Sequence, residues 1–462
     1  MSGVEVVPLG EVVKPSRPRV KPTDYPDLPF IGMEHVEAHS MKLLGTVPAS
    51  TMQSSAVHFK PGDVLYGRLR PYLNKVYRPT FEGLCSAEFI VLPENERVDG
   101  GYLQYFLNSS AFVRYASHLN AGDRPRVDFD QLASYEISLP DVDEQRRIVA
   151  EIEKQFSRLD ECVANLKRVK TNLKRYKAAV LNAAVECRLV ETEAEAALRE
   201  HRDYEHGEQL LQRILEARRS HWHCKGKYRE PAVPDTTELP VSPGGWAWAS
   251  IEQLSRLVEY GTSAKTSEDS SGVPVLRMGN IVEGELRFDE LKYLPTTHDE
   301  FPGLLLQSGD LIFNRTNSPE LVGKTAVYTG SPKECSFASY LIRVRLVDGA
   351  APKLPAAYIN SSHGRKWVKS VVTQQVGQAN VNGTKLRALA VPLPPEPEQQ
   401  RIVTELDRRL SLLRQAESQI SANLQRSSRV RQSILEWALG QRIGQIGDRR
   451  PSAVSGQLSV TV

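Results

Sequence analysis

Apolar residues in the middle of the chain recur at helical spacing. Between Leu139 and about Cys187 they fall at Ile148, Ile152, Phe156, Leu159, Val163, Leu166, Leu173, Tyr176 and Val180. Steps of mostly three or four residues draw one stripe along an α-helix and do not fit the two-residue alternation of a strand. The pattern predicts a long helix over 141–187, on the order of 65 to 70 Å at 1.5 Å per residue. A second stripe, through Ile402, Leu406, Leu410, Leu413, Ile420, Leu424, Ile434 and Ala438, predicts another over 396–440. The two are copies. Adding 254 carries Pro140 onto Pro394, Glu144 onto Glu398, Gln145 onto Gln399, Arg147 onto Arg401, Ile148 onto Ile402 and Phe156 onto Leu410.

Each helix follows a stretch of mixed, strand-rich pattern. In the first, Phe30–Val36 has strand character. Phe59–Arg68 contains a Pro-Gly turn feeding a buried strand, and Glu88–Pro93 is a third apolar run. A helix begins near Tyr102. Residues 236–395 repeat this unit: Val275–Ile281 echoes the segment around Met33, Gly309-Asp310 through Arg315 echoes Gly62-Asp63 through Arg68, and Asn360-Ser361-Ser362 echoes Asn108-Ser109-Ser110. The predicted organisation is therefore a globule over 1–140, a spacer helix over 141–187, and a charged, partly helical linker over 188–235. A second globule over 236–395, a second spacer helix over 396–440 and a loosely ordered tail over 441–462 follow. Each apolar seam needs a partner, and the other seam supplies one. The predicted fold class is α+β: two globules of mixed sheet and helices, separated by two long antiparallel coiled-coil helices, with an internal pseudo-two-fold repeat. Val163 falls opposite Glu417 in the repeat, which marks a break in the seam or a local shift onto Ala416.

The helix starts are built from general devices. Proline in the first turn forfeits no hydrogen bond, and Asp141, Asp143 and Glu144, or Glu396 and Glu398, place negative charge at the positive end of the helix dipole. On this reading Glu144, Gln145, Glu398 and Gln399 serve to start helices.

Composition changes the picture little. The 59 basic and 56 acidic residues give a net charge of +3, which neither announces nor excludes a nucleic-acid partner, because a large protein can hold a local basic groove. No apolar run approaches the ~20 residues of a membrane span, and no signal peptide is evident, so a cytoplasmic location is expected. Five scattered cysteines form no Cys-x-x-Cys pair and support neither a disulfide framework nor a zinc ribbon.

No catalytic constellation emerges. There is no Gly-rich cofactor loop after a strand, and Pro394-Pro395 is followed by Glu396 rather than by an aromatic residue. Gly323-Lys324-Thr325 resembles the end of a phosphate loop, but Ser318 stands where its leading glycine belongs and the following residues pattern as strand. His221, His223 and Cys224 lie in charged linker without a fourth ligand at a suitable spacing, so no metal is expected.

The duplicated Pro-x-x-x-Glu-Gln-x-x-Ile-Val phrase, each copy closing a globule and opening a long helix, resembles the specificity subunit of type I restriction–modification enzymes. Gly226-Lys227-Tyr228-Arg229-Glu230-Pro231 and Gly244-Gly245-Trp246-Ala247-Trp248 are similar to the phrase that precedes the second globule in such subunits. The resemblance implies that each globule is a target-recognition domain reading half of a bipartite double-stranded DNA sequence. It implies that the helices fix the spacer between half-sites and dock two modification (methyltransferase) subunits, with restriction (translocase and endonuclease) subunits joining them. The chain itself then performs no chemistry and binds no cofactor; S-adenosylmethionine, ATP and Mg are expected on the partner subunits. The seam residues Ile148, Ile152, Phe156, Leu159, Val163, Ile402, Leu406, Leu410 and Leu413 form the expected partner-binding set. The rival expectation from the residues alone is a non-catalytic duplicated protein-interaction scaffold.

Phosphates are met by Lys, Arg and small polar groups, and base edges by Arg, Asn or Gln. In the first globule the candidates are Arg68, Arg70, Tyr72, Asn74 and Lys75, then Arg124 and Arg126. In the second they are Arg315, Asn317 and Lys324, then Gln375, Gln378 and Asn380. The two sets occupy matching places in the repeat, and Arg68 and Arg315 recur at one offset from Gly-Asp. The basic residues Lys167, Arg168, Lys170, Lys174, Arg175 and Lys177 suit either a track along the DNA backbone between half-sites or a solvated outer helix face, and the solvated face is the favoured reading.

Overall fold

The structure is a computed structural model describing residues 4–440 apart from 17, 121, 222–226, 243 and 376–377. His223 and Cys224, set aside above as metal ligands, and the tail lie outside the described residues. Two long helices are present, Val142–Val185 and Glu396–Gly440. The chain divides into two compact units at 168/169 and 419/420, so that each helix contributes one half to each unit.

In the first unit a five-stranded sheet runs in the order Arg19–Val20, Ala56–Phe59, Gly83–Ser86, Pro29–Ile31, Val47–Pro48. A three-stranded sheet has Val64–Gly67 between Val76–Tyr77 and Phe89–Leu92. Val64–Gly67 and Phe89–Leu92 are buried along their whole length, which is why they are continuous apolar runs rather than alternating ones. Gly62 opens the first of them at φ 93°, the left-handed region where a side chain is strained. Helices Gly100–Leu107 and Ser110–His118 cover the sheet, capped by Asp99 and Ser109. Glu5–Pro8 pairs antiparallel with Glu136–Leu139 and brings the chain to the first long helix. The core joins Val64, Tyr66, Tyr102, Phe112 and Ile137 to Ile148, Ile152 and Phe156 of the first helix and to Leu435 and Ala438 of the second.

The second unit repeats this plan. Leu311–Asn314 sits between Leu341–Leu346 and Thr325–Val327, with Ser255–Tyr260 at the edge, and Gly309 opens the central strand at the same φ of 93°. Ala247–Ser250 pairs with Ala390–Leu393 as Glu5–Pro8 does with Glu136–Leu139. Val180, Ala184 and Val185 share the core with Ile402 and Leu406. In each unit, then, the start of one long helix packs with the end of the other, so the pairing is antiparallel, as expected of this α+β fold. Between the two packed ends the first helix is only half covered: Leu159, Val163, Leu166 and Leu173 are partly buried. Tyr176, read as a seam residue, is 48% exposed.

Three local readings are corrected. The runs Phe30–Val36 and Val275–Ile281 are not continuous strands. The strands stop at Ile31 and Leu276, and 3-10 turns follow at Met33–His35 and Met278–Asn280. A side-chain acceptor diverts the chain in both: the Gly32 N–H donates to His35 Nδ1 (2.9 Å) and the Arg277 N–H to Asn280 Oδ1 (2.8 Å). The charged stretch after the first long helix is partly helical as expected, with helices Glu193–Glu200 and Gly207–Ser220, but it is no mere linker, since Leu210 and Ile214 are fully buried in the second unit's core. Gln145 and Gln399 do more than start helices. Gln145 is fully buried; its Oε1 accepts the Asp99 N–H (2.8 Å) and its Nε2 donates to Arg97 O (2.9 Å) and Pro140 O (2.8 Å). Gln399 accepts the Ala351 N–H (2.8 Å) and donates to Gly349 O (3.1 Å) and Pro394 O (2.9 Å). Each glutamine fastens a long helix to its own globule with three hydrogen bonds.

Candidate nucleic-acid interface

Strand Val64–Gly67, central in its sheet, carries Arg68 just past its C-terminal end, where the Arg68 N–H donates to Glu88 O (2.9 Å) and its carbonyl accepts the Val127 N–H (3.0 Å). Leu69 then bridges Arg126 antiparallel, and the Arg70 N–H donates to Pro125 O (2.7 Å). Two loops far apart in sequence, 68–75 and 124–127, thus lie side by side. The second unit repeats the scheme. The Arg315 N–H donates to Tyr340 O (3.0 Å), its carbonyl accepts the Val381 N–H (2.9 Å), and Thr316–Asn317 pairs with Gln378–Asn380. Gln378–Asn380 continues into a pairing with Thr373–Gln375, which places Gln375 across from Gln378.

The side chains divide into framework and free groups. Arg68 Nε donates to Val127 O (3.2 Å), and its guanidinium pairs with Asp128. Burial and then the neighbouring Arg126 hold its pKa below the ordinary arginine value. Arg126 is exposed and pairs with Glu88 at 2.5 Å, and Arg124 is exposed. Arg70 adopts φ 52°, which turns the chain into the 3-10 turn Pro71–Leu73, and Tyr72 on that turn is 45% exposed. Asn74 belongs to the framework. It is 2% exposed at φ 46°, with Nδ2 donating to Asn108 O (3.4 Å), so it is placed to shape the turn rather than to meet a ligand. Lys75 Nζ is held on Met33 O (2.6 Å).

In the second unit the Arg315 guanidinium lies 4.8 Å from the Tyr260 ring centroid, and Nη1 donates to Ser339 O (3.3 Å). Asn317 Oδ1 accepts the Ser318 N–H (2.8 Å), and Asn380 Nδ2 donates to Thr316 Oγ1 (3.1 Å). Gln378 is exposed. Lys324 is half-buried, and the residues after it form strand Thr325–Val327, so no phosphate-loop helix exists there.

Sequence reasoning missed the groups that hold these arginines. Tyr260 and Tyr340 are 43% and 48% exposed beside Arg315, and nothing in their local pattern sets them apart from other strand-end tyrosines. Asp128 was findable: Asp128-Phe129-Asp130-Gln131 is a capping-box phrase, and it opens the short helix Phe129–Leu132. The assembled groups are guanidinium, amide and phenol donors on adjoining loops, the chemistry of phosphate and base-edge contact. Among the described residues no three His, Cys, Asp or Glu side chains group as metal ligands, the four described cysteines are free, and no helix is long and apolar enough to cross a membrane.

Comparison with known proteins adds a family. The type I restriction modification DNA specificity domain matches residues 1–175 and 243–426, once in each half of the chain. The EcoKI specificity subunit of Escherichia coli K12 is 24% identical over 386 residues, covering 82% of this chain and 73% of that protein. The StySPI specificity subunit of Salmonella potsdam is 23% identical over 388 residues, with the same coverage. Among solved structures, a chain from work on complex assembly and conformational transition of the type I R-M system superposes with a TM-score of 0.67 at 19% identity, covering 95% of this chain and 97% of that one. The HsdS subunit from Thermoanaerobacter tengcongensis gives 0.56 at 20% identity, covering 95% and 96%. These structural likenesses carry the fold, and the family match spans most of the chain. By that match over both halves, the chain belongs to the type I restriction modification DNA specificity family, as a DNA-recognition subunit.

Proposed function

We propose that each unit reads one half of a bipartite double-stranded DNA target through its pair of adjoining loops. The reading groups are Arg68, Arg70, Tyr72, Arg124 and Arg126 in one unit and Arg315, Asn317, Lys324, Gln375, Gln378 and Asn380 in the other. Lys75 contributes charge at the edge of the first set, while Asn74 shapes the turn beneath it. The paired long helices set the spacer and dock two modification subunits on their outer faces; of the expected docking set only Leu159, Val163 and Leu410 are partly exposed, because Ile148, Ile152, Phe156, Ile402, Leu406 and Leu413 are buried within the chain itself. Restriction subunits complete the enzyme. S-adenosylmethionine, ATP and Mg belong to those partners, and the assembly works in the cytoplasm.

The observation that carries this reading is the repeated juxtaposition of loops. Residues 68–70 meet 125–127, and residues 315–317 meet 378–381, through the same backbone scheme. The test is selection of duplexes from a random library by the complex with modification subunits. Wild type is expected to return two half-sites at one separation. Arg126→Ala should relax one half-site and Arg315→Ala the other, each at a cost of about 1–3 kcal/mol for the bases concerned. Unchanged half-sites in both variants would overturn the residue assignment. A complex that selects no sequence would overturn DNA reading and favour the protein-interaction scaffold.

A further inference from the structure

In both units the chain turns back on itself directly after the 3-10 turn. In the second unit this makes a two-residue hairpin, Ile281–Val282 against Glu285–Leu286, with Glu283 at φ 52° and Gly284 at φ 87°. Two positive φ values are what a tight type I′ turn requires. The hairpin stands over the long helices. Glu283 pairs with Lys177 of the first helix at 3.1 Å, and Glu285 pairs with Arg414 of the second. Beneath it lies a cavity of about 580 Å³ walled in part by Leu181, Leu286, Phe288, Leu406 and Leu410. Apolar packing is therefore incomplete under the hairpin, and two ion pairs join it to the helices. Burial works against the Glu283 carboxylate, but Lys177, Lys174 and Lys324 outweigh it and hold its pKa below the ordinary value. Strand Glu285–Leu286 of the hairpin also packs against Thr325–Val327, the strand that follows Lys324 of the proposed reading set.

The first unit has a counterpart. Val36 bridges Leu43, the Glu37 N–H donates to Lys42 O (2.9 Å), and His39 and Met41 adopt φ 61° and 58° at the bend. The His39 N–H donates to Leu73 O and Asn74 O (3.2 Å each), within the reading loop. Lys42 lies 4.0 Å from Asp160 of the first long helix, and Asp160 also pairs with Arg431 of the second. Lys42, on a bend that also carries Glu37, meets an acidic helix position in one unit, whereas Glu283 and Glu285 meet basic helix positions in the other.

We infer that these hairpins are positioning struts, keyed by opposite charge, that tie each unit's reading loops to its own section of the helix pair and so help fix the separation between half-sites. Glu283, Glu285 and Lys42 are positioning residues that read no base themselves. The inference rests on the bipartite reading proposed above.

The test uses the complex with modification subunits and the same random duplex library. Glu283→Lys with Glu285→Lys should still select both half-sites but accept separations one base pair longer or shorter. Preference for the native separation should fall roughly threefold to tenfold, the scale of two exposed ion pairs. Adding Lys177→Glu and Arg414→Glu should restore the single separation. The inference is overturned if the double variant keeps one separation, if the second half-site disappears with it, or if the fourfold exchange fails to restore selection. Wild type that selects no bipartite sequence would instead overturn the underlying reading, and the struts with it.

Discussion

Two glutamines carry more of this molecule than their surroundings in the sequence suggest. Gln145 and Gln399 each satisfy one backbone N–H and two carbonyls at the junction of a globule and a long helix. Buried polar backbone groups left without partners are expensive, so Gln399→Leu should destabilise the second unit by about 2–4 kcal/mol. Denaturant unfolding followed by the buried Trp246 measures it, and a loss under ~1 kcal/mol would show that solvent replaces the amide. The neighbouring Glu398 accepts the Trp246 Nε1–H (2.9 Å) and the Glu193 N–H (2.9 Å), and burial, its largest influence, raises its pKa in the folded chain despite those bonds. A carboxyl whose folded pKa is raised favours the folded state most below the unfolded value, near 4.5, and that advantage is lost as pH rises through the folded value. The stability of wild type relative to Glu398→Gln should therefore fall as pH rises from 4 towards neutrality, then level off. A difference independent of pH would mean that the donors around Glu398 cancel its burial. The repeated Glu-Gln pair was legible as a phrase. Its partners were not, because Asp99, Ala351 and Trp246 are brought to it only by the fold.

At the scale of elements, periodicity was a good guide wherever one face alone is buried. The second long helix follows its stripe, with Ile402, Leu406, Leu413, Ile420 and Ala438 buried as their spacing requires, whereas the first does so only towards its ends. Leu435 is fully buried where its neighbour Ile434 is only partly so, because it stands three residues before Ala438 on the face that joins the first unit's core. The stretch after the first long helix misled as well. Its charged residues are spent on ion pairs, Arg213 with Glu205 and Glu396 and Arg202 with buried Glu193, while Leu210 and Ile214 fill the core beside Trp246. This segment is part of the second unit's structure rather than a tether. Ile214→Ala should cost about 2–4 kcal/mol, the usual loss for a fully buried branched side chain. A tether would lose almost nothing, and thermal unfolding of the full chain separates the two. The hairpins were beyond sequence reading altogether, since segments of two residues per strand carry too few positions for any period.

At the scale of the whole molecule, a net charge of +3 gives no overall attraction for DNA, so binding must come from where the charges stand. Several arginines near the reading loops are already engaged, Arg68 with Asp128 and Arg126 with Glu88, while Arg124 stands exposed on the same loop. An arginine that meets a carboxylate in the free chain must exchange that partner for a phosphate or a base, and the exchange lowers its net contribution while sharpening its placement. Salt separates these roles. Each phosphate contact releases counterions and adds about 0.9 to the slope of log affinity against log salt, whereas a base contact adds specificity with little slope. In the complex with modification subunits, Arg124→Ala should lower that slope by about one and weaken every sequence alike, as for a phosphate contact. Arg126→Ala should leave the slope nearly unchanged while relaxing one half-site, since the base it reads, not the phosphate charge, is what is lost. If both variants lower the slope equally and leave selection intact, the two arginines are phosphate ligands together, and base reading on that side passes to Arg68, Arg70 and Tyr72.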